Sequence, residues 1–331
     1  MMDGSAKEVS YSRAINQALA EEMRRDDRVW LIGQDIGRMG GVFGVTRGLQ
    51  DEFGPVRVRD AYINESFIVG AAVGAAIAGT KPVVELQFAD FMLVAGDEIF
   101  HKLAKWRYMH GGNFTVPVVI RLPTGIIGGA GAEHSQSLEA LAMHIPGLKV
   151  AMPSNPADAK GLLKAAIRDP NPVMYFEHKS LYRQKGLVSV DPELIVPFGQ
   201  ATVRRAGTDL TIIATGLMVD RALEAAEILS TEGCSAEVID PRTIVPLDTE
   251  CIVKSVKQTS RALVVHEAHL TAGVGAEIVA QIQELAFHWL DAPIGRVGGA
   301  DVPIPQNVDL EQHHVPSVDK IVVGARKVLR A

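Results

Sequence analysis

Asp60-Ala61-Tyr62-Ile63-Asn64-Glu65-Ser66 runs into Phe67-Ile68-Val69-Gly70-Ala71-Ala72-Val73-Gly74-Ala75-Ala76-Ile77-Ala78-Gly79, and Pro82-Val83-Val84-Glu85-Leu86 follows closely. Ser66 to Gly79 reads as a helix of small and apolar residues, and Pro82 to Leu86 as a strand. The strand does not alternate, as expected for a parallel sheet covered on both faces. Glu65 stands at the mouth of the helix. An acidic side chain at such a mouth has little water around it, and low dielectric in general lets a carboxyl share a proton near neutral pH. The plainer reading is an acidic residue favouring the helix dipole. For an isolated Glu that reading is preferred.

The same alternation extends in both directions. Tyr11 to Arg25 carries Ala14, Ile15, Ala18, Leu19 and Met23 on one helical face, and Val29 to Ile32 is a short strand ending at Gly33. Phe91 to Arg107 reads as a helix, and strands recur at Val116 to Arg121, Leu148 to Ala151 and Val173 to Phe176. The last two flank a helix with Asn155 as N-cap, Pro156 in its first position and Arg168 near its end. A second α/β series has strands at Leu210 to Ala214, Ala236 to Asp240 and Ala262 to Val265. Its helices are Met218 to Glu232, Asp248 to Gln258 and Gly275 to Leu290. The expectation is α/β with two doubly wound domains, 1–185 and 206–331, joined by a linker at 186–205.

The bulk numbers exclude several classes. The 331 residues suffice for two domains, and 47% hydrophobic with 22% charged is a globular balance. A net charge of -6 argues against a nucleic-acid partner. No apolar run is long enough to span a bilayer. The N-terminal run Met1 to Glu8 is polar and lacks a signal-peptide core. Cys234 and Cys251 lack metal-ligand spacing, so a reduced, cytoplasmic setting is expected.

Two loops follow strands where ligands sit in open α/β sheets. Thr124 to Ser137 holds four glycines, then Glu133-His134-Ser135-Gln136. A His in that company could donate a proton or steady a developing oxyanion, or simply tie down the loop. Gly37 to Gly44 borders a pocket or turns the chain, and its glycine spacing is wrong for a dinucleotide. Gly273-Val274-Gly275 lacks a third glycine and reads as close packing. Phe88 and Phe91 could stack on a flat ring or pack in the core. Glu85 is a rival buried acid, better explained by a structural partner. His101, His110, His144, His178 and His266 read as surface or structural. Helix-end carbonyls with Asp169 and Asn171 offer oxygen ligands to a hard ion, against ordinary capping as the default.

Together these stretches resemble the beta subunit of the thiamine-dependent decarboxylating component of 2-oxo acid dehydrogenase complexes, of the pyruvate, branched-chain and acetoin types. The resemblance spans the chain, through Gly40-Gly41-Val42-Phe43, Asn64-Glu65-Ser66, Val84 to Phe91, His134-Ser135-Gln136-Ser137, Pro146 to Val150, Val264 to Ala268 and Asp301-Val302-Pro303. It implies a transketolase-like pyrimidine-binding domain and a transketolase C-terminal-like domain. It implies that Glu65 hydrogen-bonds a ring nitrogen of thiamine diphosphate and activates it. Phe91 would stack near the aminopyrimidine, Gln87 would line the site, and His134 would assist proton or acyl transfer. Val118, Ala166, Ile167, Asp169 and Asn171 match a potassium site of several members. No Gly-Asp-Gly motif for the diphosphate and magnesium occurs, since Gly96-Asp97 is followed by Glu98. The resemblance therefore implies an alpha subunit holding the diphosphate and most of the magnesium shell, in an α2β2 heterotetramer that serves a lipoyl-bearing acyltransferase.

Asn64 and Glu133 depart from the family pattern, and Asp97-Glu98 and Gln306-Asn307 from the usual pyruvate-type stretches; together with His134-Ser135-Gln136-Ser137-Leu138-Glu139-Ala140 they lean slightly toward acetoin-type members. Two rivals remain: a split transketolase-like ketol transferase subunit, and a non-catalytic structural or electron-transfer α/β subunit.

Overall fold

The computed structural model describes residues 6–331. Met1 to Ser5, the start of the polar N-terminal run, lie outside the described residues. The chain divides into two compact units: residues up to Thr124 with Leu141–Phe198, and Gly125–Ala140 with Gly199–Ala331.

The strands of the first unit are β1 (Ala6–Ser10), β2 (Val29–Gly33), β3 (Val58–Asp60), β4 (Lys81–Glu85), β5 (Val119–Thr124), β6 (Lys149–Ala151), β7 (Val173–His178) and β8 (Lys185–Ser189). They pair in the order β6-β7-β5-β4-β2-β3, every pair parallel, while β1 and β8 form a separate antiparallel ribbon. Its helices are α1 (Tyr11–Arg25), α2 (Leu49–Phe53), α3 (Glu65–Ile77), α4 (Trp106–Met109) and α6 (Pro156–Arg168); α5 (Glu139–Met143) brings the chain back from the second unit. The expected α1 has the observed bounds, and α6 starts at Pro156 as expected and ends at Arg168. Asn155 caps α6 by accepting from Asp158 N at 3.0 Å.

The strands of the second unit are β9 (Thr202–Arg205), β10 (Leu210–Ala214), β11 (Ala236–Asp240), β12 (Thr243–Val245), β13 (Ala262–His269) and β14 (Gly295–Gly299). The sheet order is β14-β13-β10-β11-β9, with β9 antiparallel to β11. The helices are α7 (Met218–Thr231), α8 (Thr249–Thr259), α9 (Val274–Ala286), α10 (Val308–His314) and α11 (Val318–Arg330). Strand β10 shows why alternation fails as a signal. Leu210 and Ile212 pack toward α7 and α11, while Ile213 packs toward α8 and α9, so both faces are apolar and buried.

One expectation needs correction. The single helix expected over Phe91 to Arg107 is broken into a 3-10 segment at Ala89–Leu93, a π-helical segment at Asp97–Leu103 and the short α4. The buried side chains Ala95, Ile99 and Leu103 recur every four residues, which an ordinary helix also satisfies. The Ala104 N to Ile99 O bond of 3.0 Å spans five residues and marks the π-helical turn. The segment 186–205 opens within β8 and closes with β9. Its two ends pair with β1 and β11, and residues 190–201 between them carry no strand.

The Gly273-Val274-Gly275 turn is close packing around an imidazole. A Cβ on Gly273 or Gly275 would lie 2.5 Å from the fully buried His266 ring. Desolvation pushes His266 down to about 4, so the ring is neutral. Gly275→Ala should cost about 1–3 kcal/mol by overpacking, measured as a fall in the thermal midpoint. An unchanged midpoint would show that the ring can move aside.

Candidate active site

The candidate groups of the first unit gather at the carboxyl ends of the parallel strands, where open sheets bind ligands. Gln34 follows β2, Gln87 and Phe91 follow β4, and Glu65 opens α3 just after β3. Glu65 is the first residue of α3 and only 6% exposed. Asn64 caps the helix by accepting from Phe67 N at 2.8 Å, which fixes where the Glu65 backbone begins the turn. Gln34 Nε2 donates to Glu65 Oε1 at 3.2 Å and orients the carboxyl. Ser66 Oγ donates to Val94 O at 2.9 Å, tying this first turn to the chain just beyond Phe91. Phe91 is half-buried and stands edge-on to Phe88, with ring centroids 5.6 Å apart. The structure thus brings Glu65 and the Phe91 segment to one edge of one sheet. A buried acid and a half-buried aromatic stand at this edge.

Glu85 is a different kind of buried acid. Arg121, fully buried on β5, donates Nε and Nη2 to Glu177 at 2.7 and 2.8 Å and Nη1 to Glu85. Tyr182 Oη donates to the same Glu177 at 2.9 Å. Burial raises the Glu85 pKa, and Arg121 opposes that rise. Burial also works against the Arg121 charge, but Glu177 and Glu85 more than reverse it, so its pKa is raised. Glu85 therefore has the structural partner expected of a mid-strand carboxylate. The network joins adjacent strands β4, β5 and β7 at the end where Gln87 and Phe91 emerge.

The five residues matched to a potassium site converge where α6 ends beside β5 and β7. Asp169 is the C-cap of α6, and its N–H donates to Ala166 O at 3.2 Å. Asn171 N and Nδ2 donate to Asp169 Oδ1 at 2.8 and 2.9 Å. Val118 O accepts from Val173 N at 2.9 Å, and Ile167 is buried in the last turn of α6. Lys149 Nζ is paired with Asp169 Oδ2, and Arg107 Nη1 donates to Asn171 Oδ1 at 2.5 Å. Carbonyl oxygens keep a second lone pair after one bond, so an oxygen donor set remains. Lys149 already balances much of the Asp169 charge. Among the described residues no cluster of His, Cys, Asp and Glu could hold a metal ion.

His134 belongs to the second unit, on the loop Gly125–Ala140. Sequence reasoning missed what holds this loop. Ile126 N donates to Glu267 Oε1 at 2.8 Å, and Gly129 N to Glu311 Oε2 at 3.1 Å. Nearby Glu139 is fully buried, and neither of its oxygens has a neighbouring partner. Burial raises its pKa to about 7; its own backbone N–H pulls the other way, and the Glu267 charge adds to the rise. Gln34 was missed as well. Its position one residue past a buried strand was the available signal.

Comparison with known proteins agrees with this geometry. Residues 7–185 match the family described as transketolase, pyrimidine binding domain, and residues 199–321 match transketolase, C-terminal domain. The chain therefore belongs to the transketolase family, among the E1 beta subunits of 2-oxo acid and acetoin dehydrogenases. It is 45% identical to pyruvate dehydrogenase E1 component subunit beta-2, mitochondrial, from Oryza sativa subsp. japonica, covering 98% of this chain and 87% of that one. The 2-oxoisovalerate dehydrogenase subunit beta of Bacillus subtilis is also 45% identical, with 97% and 98% covered. So is the acetoin:2,6-dichlorophenolindophenol oxidoreductase subunit beta of Cupriavidus necator, with 98% of each chain covered. Among solved structures, a split gene transketolase in an inactive beta4 tetramer aligns over 99% of both chains, with TM-score 0.78 and 25% identity. No helix among the described residues is long and apolar enough to cross a membrane.

Glu139 makes stability depend on pH. Its folded pKa, about 7, lies above the ordinary 4.5. Its stabilising contribution is complete below the ordinary value and is lost as pH rises through 7. The loss amounts to roughly 3 kcal/mol at one pKa unit per 1.36 kcal/mol. Glu139→Gln should therefore melt higher than the parent chain at pH 8 and about level with it at pH 5. An equal offset at both pH values in thermal melts would contradict this.

Proposed function

We propose that the chain is the beta subunit of a thiamine diphosphate-dependent dehydrogenase component, active as an α2β2 heterotetramer with an alpha subunit. The assembled enzyme decarboxylates a 2-oxo acid, or cleaves acetoin, and passes the acyl unit to a lipoyl group on an acyltransferase core. The observation that carries this reading is the buried Glu65 carboxyl at the first position of α3, oriented by Gln34. Thiamine diphosphate, when bound, supplies the carbon nucleophile that attacks the substrate carbonyl.

In this reading Glu65 holds a proton against a pyrimidine nitrogen, and its burial keeps water from competing for that bond. Phe91 packs on the ring face and Gln87 lines the same edge. His134 moves a proton at the substrate or assists acyl transfer. The alpha subunit brings most of the ligands for magnesium and the diphosphate. Val118, Ala166, Ile167, Asp169 and Asn171 hold a potassium ion that braces the end of α6. The two domains run 1–185 and 206–331. A cytoplasmic setting fits the two free cysteines.

The surface beside Glu65 supports assembly. Tyr62, Ile63 and Phe67 are 95%, 83% and 61% exposed, and Leu93 and Val94 are exposed as well. Large apolar side chains so grouped mark a protein interface. The acetoin lean rests on Asn64, Glu133, Asp97-Glu98 and Gln306-Asn307. Ketol transfer is the second reading, favoured by the likeness to the split transketolase.

Co-expression with an alpha subunit tests the proposal. With thiamine diphosphate, magnesium and a dye acceptor, one member of a panel of pyruvate, branched 2-oxo acids and acetoin should turn over. Glu65→Gln should lower that turnover by about 10²-fold or more. A stable, cofactor-binding complex that turns over only sugar phosphates would replace this reading with ketol transfer.

A further inference from the structure

The loop carrying His134 is poor in intrinsic order. Gly125, Gly128, Gly129 and Gly131 all have left-handed φ values, between 77° and 101°. Glycine backbones lose the most freedom on ordering, so such a loop needs outside contacts to hold one conformation. Its internal backbone bonds are long: 3.4 Å from Gly125 N to Gln136 O, and 3.3 Å from His134 N to Gly131 O.

The outside contacts are specific. Ile126 is buried in a small apolar cluster with Ile304 and Val315. Its N–H donates at 2.8 Å to Glu267, on β13, a residue only 4% exposed. Gly129 N donates at 3.1 Å to Glu311, fully buried on α10. At Gly129 the loop lies flat against its support, since a Cβ there would sit 2.9 Å from Gln306 O and 3.3 Å from a Val308 methyl.

Burying carboxylates is costly, more so beside a third one, Glu139. Apolar side chains would cover the loop at less cost, but they would not select its conformation. A carboxyl oxygen receiving a backbone N–H makes a directional bond, which apolar packing does not. Two of them, three residues apart in the loop, fix both the height and the rotation of the backbone leading to His134. The far side of the loop is pinned where Ser135 is fully buried and α5 begins at Glu139.

We propose that Glu267 and Glu311 are positioning residues that hold the His134 loop in its reactive conformation by capturing the N–H groups of Ile126 and Gly129. The proposal rests on the reading of His134 as a reacting side chain. Neither glutamate touches substrate. Each acts through the backbone it holds, and a displacement on the order of 1 Å in a reacting group can cost 10²-fold in rate.

A double-mutant cycle in the complex assembled with the alpha subunit tests this, with turnover measured for the parent enzyme, Glu311→Ala, His134→Ala and the double variant. The expected result is that Glu311→Ala lowers kcat by about 10- to 10²-fold, and that the double variant is no slower than His134→Ala alone. Glu311→Gln retains an acceptor oxygen and should recover most of the loss. Gly129→Ala pushes the loop off its support without touching a carboxylate, should show the same coupling to His134, and serves if Glu311→Ala fails to assemble. Equal losses in the presence and absence of His134 would mean a general structural defect and would overturn the proposal. Full activity of Glu311→Ala and Gly129→Ala, with His134→Ala impaired, would overturn it while leaving His134 in its role. Full activity of His134→Ala would remove that role, and the proposal with it.

Discussion

One guanidinium organises the edge on which the candidate site is built. Arg121 lies between Glu85 and Glu177, all three buried, and it crosses three adjacent parallel strands. Parallel strands with apolar side chains on both faces would otherwise be held in relative height only by backbone bonds. A buried ion network contributes little net stability, because desolvation offsets most of the attraction. Breaking it is another matter, at about 3–5 kcal/mol for one stranded charge. Its effect here is geometric. It fixes how far β4, β5 and β7 extend, and therefore where Gln87, Phe91 and the chain after β5 leave the sheet.

The second constraint is close approach. Gly33, the last residue of β2, has its absent Cβ only 2.7 Å from Glu85 O, so no larger residue could stand there without parting the strands. Gln34 follows at once and orients Glu65. In the second unit the same logic operates around His266, gripped by Gly273 and Gly275. Function and packing are therefore hard to separate in this chain. Glycines that resemble nucleotide loops make room for a ring or a carbonyl, and the buried acid that rivals Glu65, Glu85, serves the sheet.

Much of this was legible in the residues. Local periodicity gave α1, and Asn155 with Pro156 gave the start of α6, because such signals act within one turn; the Ser10 cap of α1 was seen only in the structure. The run at Glu65 marked a helix mouth, and Asn64 is its cap. What could not be read depends on distant partners. The β1–β8 ribbon joins residues at opposite ends of the first unit. The π-helical turn at Asp97–Leu103 left no trace in the apolar spacing, which fits an ordinary helix. The anchors of the His134 loop lie far along the chain, and nothing near Glu267 or Glu311 announces a buried carboxylate facing a backbone N–H. Substrate choice was equally hidden: the chain is 45% identical to pyruvate, 2-oxoisovalerate and acetoin beta subunits alike, so overall similarity does not separate them.

The central claim is that Glu65 provides the proton contact that activates the cofactor. Its most direct measurement is the rate at which the reactive carbon of bound thiamine diphosphate exchanges its proton with deuterium, in the assembled complex and without substrate. The account predicts that Glu65→Gln slows exchange by about 10²-fold or more while the cofactor stays bound. Exchange at the parent rate in a cofactor-loaded Glu65→Gln complex would contradict it.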